Sequence, residues 1–488
     1  MNLEQYFDQF RKNIVGINQT FLSPYGEKKM IYTDWTASGR LYHPIEEKML
    51  HKFGPFVANT HTETSTSGAS MTLAYREARN IIKKHVHADD NDVLIISGSG
   101  MTGVVNKFQR ILGLKVSESL KAYTTIPEDL KPIVFVSHME HHSNQTSWLE
   151  TIADVEVVPC DNEGLVCLKS FEETIQKHQH RKIKIAAITS CSNVTGIKTP
   201  YNKVAKLIHK YNGLCFVDFA CCAPYVDINM HPKEVSESLD AIFFSPHKFL
   251  GGPGSSGVLI FNKSLYKNTV PDNPGGGTVS FTNPWGEHDY FDDVETREDG
   301  GTPAFLQTIR IALSIQLKEQ MGTSNIKKRE NVVNEILFDT LESLPGVKIL
   351  APNHKNRLSI FSFYFEKYHF NLIVKLLNDR FGIQTRGGCS CAGTYGHLLL
   401  NIDQSTSSII KSQILEGCSS VRPGWVRLSV HPTITNEEVT FICNSLKELT
   451  RNIEQWSKDY SYNAQKNNYV HNTQSPIEKE LVANWFSL

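Results

Sequence analysis

Leu239-Asp-Ala-Ile-Phe-Phe-Ser-Pro-His-Lys-Phe-Leu-Gly-Gly-Pro-Gly-Ser-Ser-Gly257 reads as an apolar strand that gives out on Ser245-Pro-His-Lys248 and runs into a glycine-rich loop. A lysine at the end of such a strand can be more than a solvated charge. Upstream, Leu214-Cys-Phe-Val-Asp-Phe-Ala220 ends a second apolar run on a carboxylate, Asp218. A lysine amine can hold an aldehyde as a Schiff base, and a buried carboxylate pairs with a pyridine nitrogen. Together Lys248 and Asp218 point to pyridoxal 5'-phosphate.

Working outward, five more short apolar runs lie at 93–97, 133–137, 155–160, 183–190 and 257–261, and amphipathic helical patterns fall at 72–87, 102–114, 168–179 and 200–211. Continuous apolar strands alternating with helices predict a largely parallel sheet covered on both faces. Ligands of such sheets bind beyond the carboxyl ends of the strands, where Ser97, Ser137, Ser190, Asp218 and Ser245 fall. The predicted class is α/β, with a seven-stranded, mostly parallel large domain and a smaller α+β domain. Helices near 303–321, 327–343 and 370–380 and strands at 357–365 and 425–430 supply the second rhythm. The predicted layout is a large domain at 25–305, a small one at 306–456 joined by 1–24, and a polar tail at 457–488, with insertions at 115–131 and 397–424.

The 488 residues carry 50 lysines and arginines against 51 aspartates and glutamates, a formal charge of -1. That balance lacks the basic footprint of a nucleic-acid binder and favours a small-molecule substrate. No run approaches the roughly 20 apolar residues of a membrane span. The N-terminus lacks the apolar core of a signal peptide, and ten scattered cysteines suit a reducing compartment. The expectation is a cytoplasmic protein.

Four further motifs carry chemistry. Ser97-Gly-Ser-Gly-Met-Thr-Gly103 follows a strand and opens a helix, so its amides suit a phosphate; a dinucleotide, another phosphate ester and a plain turn all fit that spelling. His138-Met-Glu-His-His142 could bind metal, stack an imidazole on a flat heteroaromatic ring, or be structural. No metal site is assigned from it. Asn193, in Cys191-Ser-Asn-Val-Thr-Gly196, could donate to a phenolate-type oxygen. Arg386-Gly-Gly-Cys-Ser-Cys-Ala-Gly393 sets two thiols on a mobile loop beside a guanidinium, which favours thiolate.

Taken together, residues 30–445 resemble the class V aminotransferase family, within it the cysteine desulfurases and selenocysteine lyases. Ser245-Pro-His-Lys248 is similar to the family's Ser-x-His-Lys, and Glu140-His141-His142-Ser-Asn144 to the Glu-His-His-Ala-Asn of the group II desulfurases. The resemblance implies the pyridoxal phosphate-dependent transferase fold type I, with Lys248 carrying the cofactor and His141 stacked on its ring. It further implies Asp218 on the ring nitrogen, Asn193 on the ring hydroxyl, and Met101, Thr102, Ser245 and His247 at the phosphate. Thr278 corresponds to the residue that reaches the phosphate from a partner subunit, which implies a homodimer. Cys391 inherits the sulfur-accepting role, with Arg386 five residues before it, and Arg427, in Gly-Trp-Val-Arg-Leu-Ser429, the substrate carboxylate.

Two departures stand out. The family's Asp-x-Ala-Gln is Asp218-Phe-Ala-Cys221, and the segment from Cys391 to Arg427 is long, suggesting a lid over the substrate. The implied activity is removal of sulfur or selenium from an L-cysteine-type amino acid, with a persulfide on Cys391 and a protein that takes the sulfur. Cys389 as a second relay thiol is a further expectation. Rival readings are a C–S β-lyase, a racemase, epimerase or aminotransferase that leaves Cys391 idle, and a scaffold without catalysis.

Overall fold

The computed structural model describes residues 2–60, 62–473 and 478–487. The chain divides into two compact units, one formed by 38–192 and 198–323, the other by 1–37, 193–197 and 324–488.

The first unit is built on β1 (Asp92–Ser97), β2 (Ile133–Ser137), β3 (Asp154–Val158), β4 (Lys184–Thr189), β5 (Leu214–Asp218), β6 (Ala241–Phe244) and β7 (Gly257–Asn262). Their order is β1-β7-β6-β5-β4-β2-β3. Only β7 runs against its neighbours, antiparallel to both β1 and β6. β2, β4, β6 and most of β7 are buried along their length, as expected of a sheet covered on both faces. Phe108, Trp148, Phe216, Phe243 and Phe261 fill the core on one face. Helices α1 (Thr66–His85), α2 (Met101–Ile111), α3 (His142–Leu149) and α4 (Phe305–Met321) belong to this unit. The seven expected strands and the α/β class are all found.

The second unit carries a four-stranded antiparallel sheet, β8 (Val347–Ile349), β9 (Ile360–Phe365), β10 (Arg386–Gly388) and β11 (Trp425–Ser429), in the order β8-β9-β11-β10. Helices α5 (Thr323–Ser343), α6 (Phe370–Phe381) and α7 (Asn436–Trp456) pack on it through Phe338, Phe361, Leu376 and Leu446.

Three expected boundaries shift. The one placed near 305 lies after Thr323, because α4 packs on α1 through Ala78, Ile309 and Ala312. Residues 25–37 belong with the second unit, since Ile31–Tyr32 pairs in parallel with Ile383–Gln384. The polar tail is folded as far as residue 473: Tyr460–Asn463 and Asn468–His471 form a hairpin, and Tyr460 donates to Asp379 at 2.9 Å. Arg380 stacks on Tyr25 and Trp456, 3.9 and 4.0 Å from the ring centroids. Residues 474–477 and 488 of that segment lie outside the described residues.

Asn193–Ile197 is a five-residue visit to the second unit by a chain that is otherwise in the first on both sides. Leu358 N–H donates to Gly196 O at 3.0 Å and Ser362 Oγ to Val194 O at 2.6 Å. Gly196 sits at φ +72, and a Cβ there would lie 2.7 Å from Leu358 O, so no larger residue fits.

Candidate active site

In the first unit, β5 ends on Asp218, which is 3% exposed. Its Oδ1 accepts the Ala220 N–H at 2.7 Å, while its carbonyl accepts the Ser190 N–H and hydroxyl, each at 2.8 Å. Burial pushes its carboxyl above the usual carboxylate range, while the Ala220 amide and the Lys248 charge pull it down. Lys248 closes the short turn Pro246–Lys248 that follows β6. The His247 imidazole is pushed down to about 4 by burial, with the Lys248 charge adding to the effect.

The glycine loop before α2 folds over that turn. Ser245 Oγ accepts the Met101 N–H at 2.8 Å. A Cβ on Gly257 would lie 2.3 Å from Gly100 O, so the two loops touch backbone to backbone. Gly100 gives α2 no side-chain cap, which leaves its first-turn dipole to an anion. Thr102 Oγ1 lies 2.6 Å from Ser143 Oγ. Ser143 N–H donates to His141 Nδ1 at 3.1 Å, so the proton of the neutral His141 ring belongs on Nε2. Ser143 thus links the two groups expected at phosphate and ring, a role that sequence reading missed. Beneath them, Glu140 is 1% exposed and accepts from Ser137 Oγ, Asn144 Nδ2 and Thr189 N–H at 2.5, 2.8 and 2.8 Å. Burial raises its carboxyl to about 8 against the pull of those donors.

Other expectations fall differently. His138 Nε2 lies 2.9 Å from Gly164 O, and His141 caps α3 by accepting the Ser143 N–H. Among the described residues, Asp89, Asp92 and His231 stand close enough together to share one metal ion, at the start of β1 rather than at its carboxyl end. Cys221 turns its thiol to Ser192 O at 3.6 Å. Thr278 is fully buried, donating to Gly275 O at 2.6 Å and accepting the Gly275 N–H at 3.2 Å. Its hydroxyl closes its own turn and is not presented at the protein surface.

The second unit holds Asn193, Arg386, Cys391 and Arg427. Arg386 and Arg427 are direct cross-strand partners on β10 and β11, an unfavourable pairing of like charges. Asp34 lies against both, with Oδ1 2.7 Å from Arg427 Nη2 and Oδ2 3.7 Å from Arg386 Nη1. Arg427, 3% exposed, also donates to Asn193 O at 3.1 Å, and its Nε has no partner among the described residues. The arginine expected to take a substrate carboxylate therefore already holds an internal one. Asn193 Nδ2, the donor expected at a phenolate-type oxygen, is given instead to Ser390 O at 2.7 Å, and its buried Oδ1 has no partner among the described residues.

That bond anchors the cysteine loop. Ser390 and Cys391 have φ of +52 and +56, two successive left-handed residues that cost roughly 1–2 kcal/mol each. Cys391 is exposed and Cys389 half-buried. The inserted segment beyond them folds into helices Gly393–Leu399 and Gln404–Leu415.

A family model described as aminotransferase class-V matches residues 31–442. A probable cysteine desulfurase of Halalkalibacterium halodurans is 26% identical over 367 residues, covering 74% of this chain and 84% of that relative. One of Staphylococcus epidermidis is 26% identical over 372 residues, covering 75% and 84%. Among solved structures, a cysteine desulfurase from Thermococcus onnurineus superposes with a TM-score of 0.71 at 22% identity, covering 91% of this chain and 98% of that one. The cysteine desulfurase CsdA, as its S-sulfonic acid, from Escherichia coli gives 0.69 at 19%, covering 93% and 99%. These likenesses establish the fold type I architecture expected from the sequence.

Proposed function

The chain belongs to the class V aminotransferase family, and from that premise we propose that it is a pyridoxal 5'-phosphate-dependent cysteine desulfurase, converting L-cysteine to alanine with a persulfide on Cys391. The observation that carries the reading is the buried Asp218 carboxylate at the end of β5, next to the neighbouring strand β6 that leads into the Lys248 turn.

The residues fit the cofactor. The uncapped first turn of α2, with Ser245 and Thr102 against it, suits a phosphate. Asp218 suits a protonated ring nitrogen. When bound, pyridoxal phosphate supplies an electron sink for charge developed at the substrate Cα.

The chain's own groups do the rest. Lys248 binds the cofactor, then serves as the base that takes and returns the Cα proton. Asp218 holds the proton on the ring nitrogen. Arg427 takes the substrate carboxylate through its fork, in competition with Asp34, and Arg386 adds charge beside it. Cys391, as thiolate, attacks the substrate sulfur. A sulfur–sulfur bond forms, the carbon–sulfur bond breaks, and its electron pair stays with the carbon skeleton, which takes up a proton and leaves as alanine.

In keeping with the likeness to desulfurases, the proposal extends to a cytoplasmic homodimer whose sulfur passes to an acceptor. Selenocysteine would use the same groups. Quantifying alanine against pyruvate from L-cysteine, with a thiol reductant present, tests the proposal. Alanine in step with sulfide is the expected result; pyruvate would mean β-elimination by Lys248 with Cys391 idle.

A further inference from the structure

Beside the cysteine loop lies a cavity of about 410 Å³. Arg386, Cys389, Ser390 and Cys391 line it from the loop side, and Arg422 and Trp425 from the far end of the inserted segment. No aspartate or glutamate is among the described residues that line it. The wall is held firmly. His397 lies 2.8 Å from Gly393 O through Nδ1 and 2.9 Å from Ser407 Oγ through Nε2, fastening Gly393–Leu399 to Gln404–Leu415.

We propose that this cavity is a second binding site, for a small thiol bearing carboxylates that collects the sulfur from Cys391. The proposal rests on the desulfurase reading above and names the acceptor class for it. The two guanidiniums, with no carboxylate among the described lining residues, suit carboxylate oxygens, and the two thiols of the lining set where the reacting sulfur must come. The acceptor thiolate attacks the outer sulfur of the Cys391 persulfide. A new sulfur–sulfur bond forms to the acceptor, and the bond to Cys391 breaks. Its electron pair remains on Cys391 Sγ as thiolate, so no external oxidant or reductant is needed.

The test uses the holoenzyme with mercaptosuccinate, which carries two carboxylates, and 2-mercaptoethanol, which carries none. Calorimetric titration should show saturable binding of mercaptosuccinate, weakened about tenfold in Arg422→Ala and partly restored in Arg422→Lys. In turnover with L-cysteine, alanine release should saturate in mercaptosuccinate, and its preference over 2-mercaptoethanol should fall by the same factor in Arg422→Ala. Equal affinity of wild type and Arg422→Ala, or binding of mercaptosuccinate without faster alanine release than 2-mercaptoethanol gives, overturns the proposal while leaving desulfuration standing. No alanine with any thiol removes the desulfurase reading and, with it, the acceptor role.

Discussion

Asp34→Asn isolates the charge that Asp34 places against Arg427. The substitution keeps an oxygen acceptor in place and removes only the anion. At 2.7 Å between Nη2 and Oδ1 the charge centres lie about 4 Å apart, which at an effective dielectric of about 20 is about 4 kcal/mol of attraction. A neutral hydrogen bond returns about 1 kcal/mol. The side chains are 17% and 3% exposed, so solvent screens little of the difference. Asp34→Asn should therefore lose about 2–3 kcal/mol in urea unfolding, and a double-mutant cycle with Arg427→Met should report a coupling of similar size. Freed of its internal carboxylate, Arg427 should hold the amino acid better, and if about half of that energy is recovered the KM for L-cysteine falls about tenfold. Stability and affinity then move in opposite directions, which a merely damaged fold would not produce. An unchanged urea midpoint with zero coupling, or a KM that rises as stability falls, refutes the reasoning.

Lys248→Ala should remove the yellow colour that borohydride otherwise bleaches and lower turnover by at least about 10²-fold. Cys391→Ser should abolish alanine formation while leaving the cofactor's absorbance intact, checked by spectrum and product analysis. Ser143→Ala cuts the link between Thr102 and His141; the cofactor should dissociate faster, read by equilibrium dialysis. Acid should destabilise the protein. His431 and His247 are held down to about 3 and about 4 by burial, below the unfolded value of about 6.5. Their contribution is complete above that value and lost as pH falls through it toward the folded values. Urea midpoints should drop between about pH 7.5 and about pH 5, and drop less in His431→Gln.

Residues whose local sequence states their environment were legible. Ala241–Phe244 and Leu214–Asp218 read as buried strands because both faces are apolar, and Lys248 and Asp218 announced themselves as charges ending such runs. Asp34 did not: it stands 393 residues from Arg427 and meets it through a parallel bridge to Ser429. The hairpin after residue 459 hid because tyrosines and a histidine alternate with polar residues at an edge. Thr278 was placed by resemblance alone, and its turn with Gly275 depends on local backbone geometry that no motif states.

The excursion of Asn193–Ile197 bears on how a ribosome can deliver this protein. At emergence, residues 1–37 and the pentapeptide lack the strands and helices that complete their unit, since those lie after residue 323. The sheet of the first unit can close around β1 to β7 while five residues at its middle wait, with Gly196 O and Asn193 O unmet until Leu358 and Arg427 appear. Synthesis order therefore makes the second unit the last to form. A cut anywhere between residues 38 and 323 would sever it as surely as a cut within its own sheet.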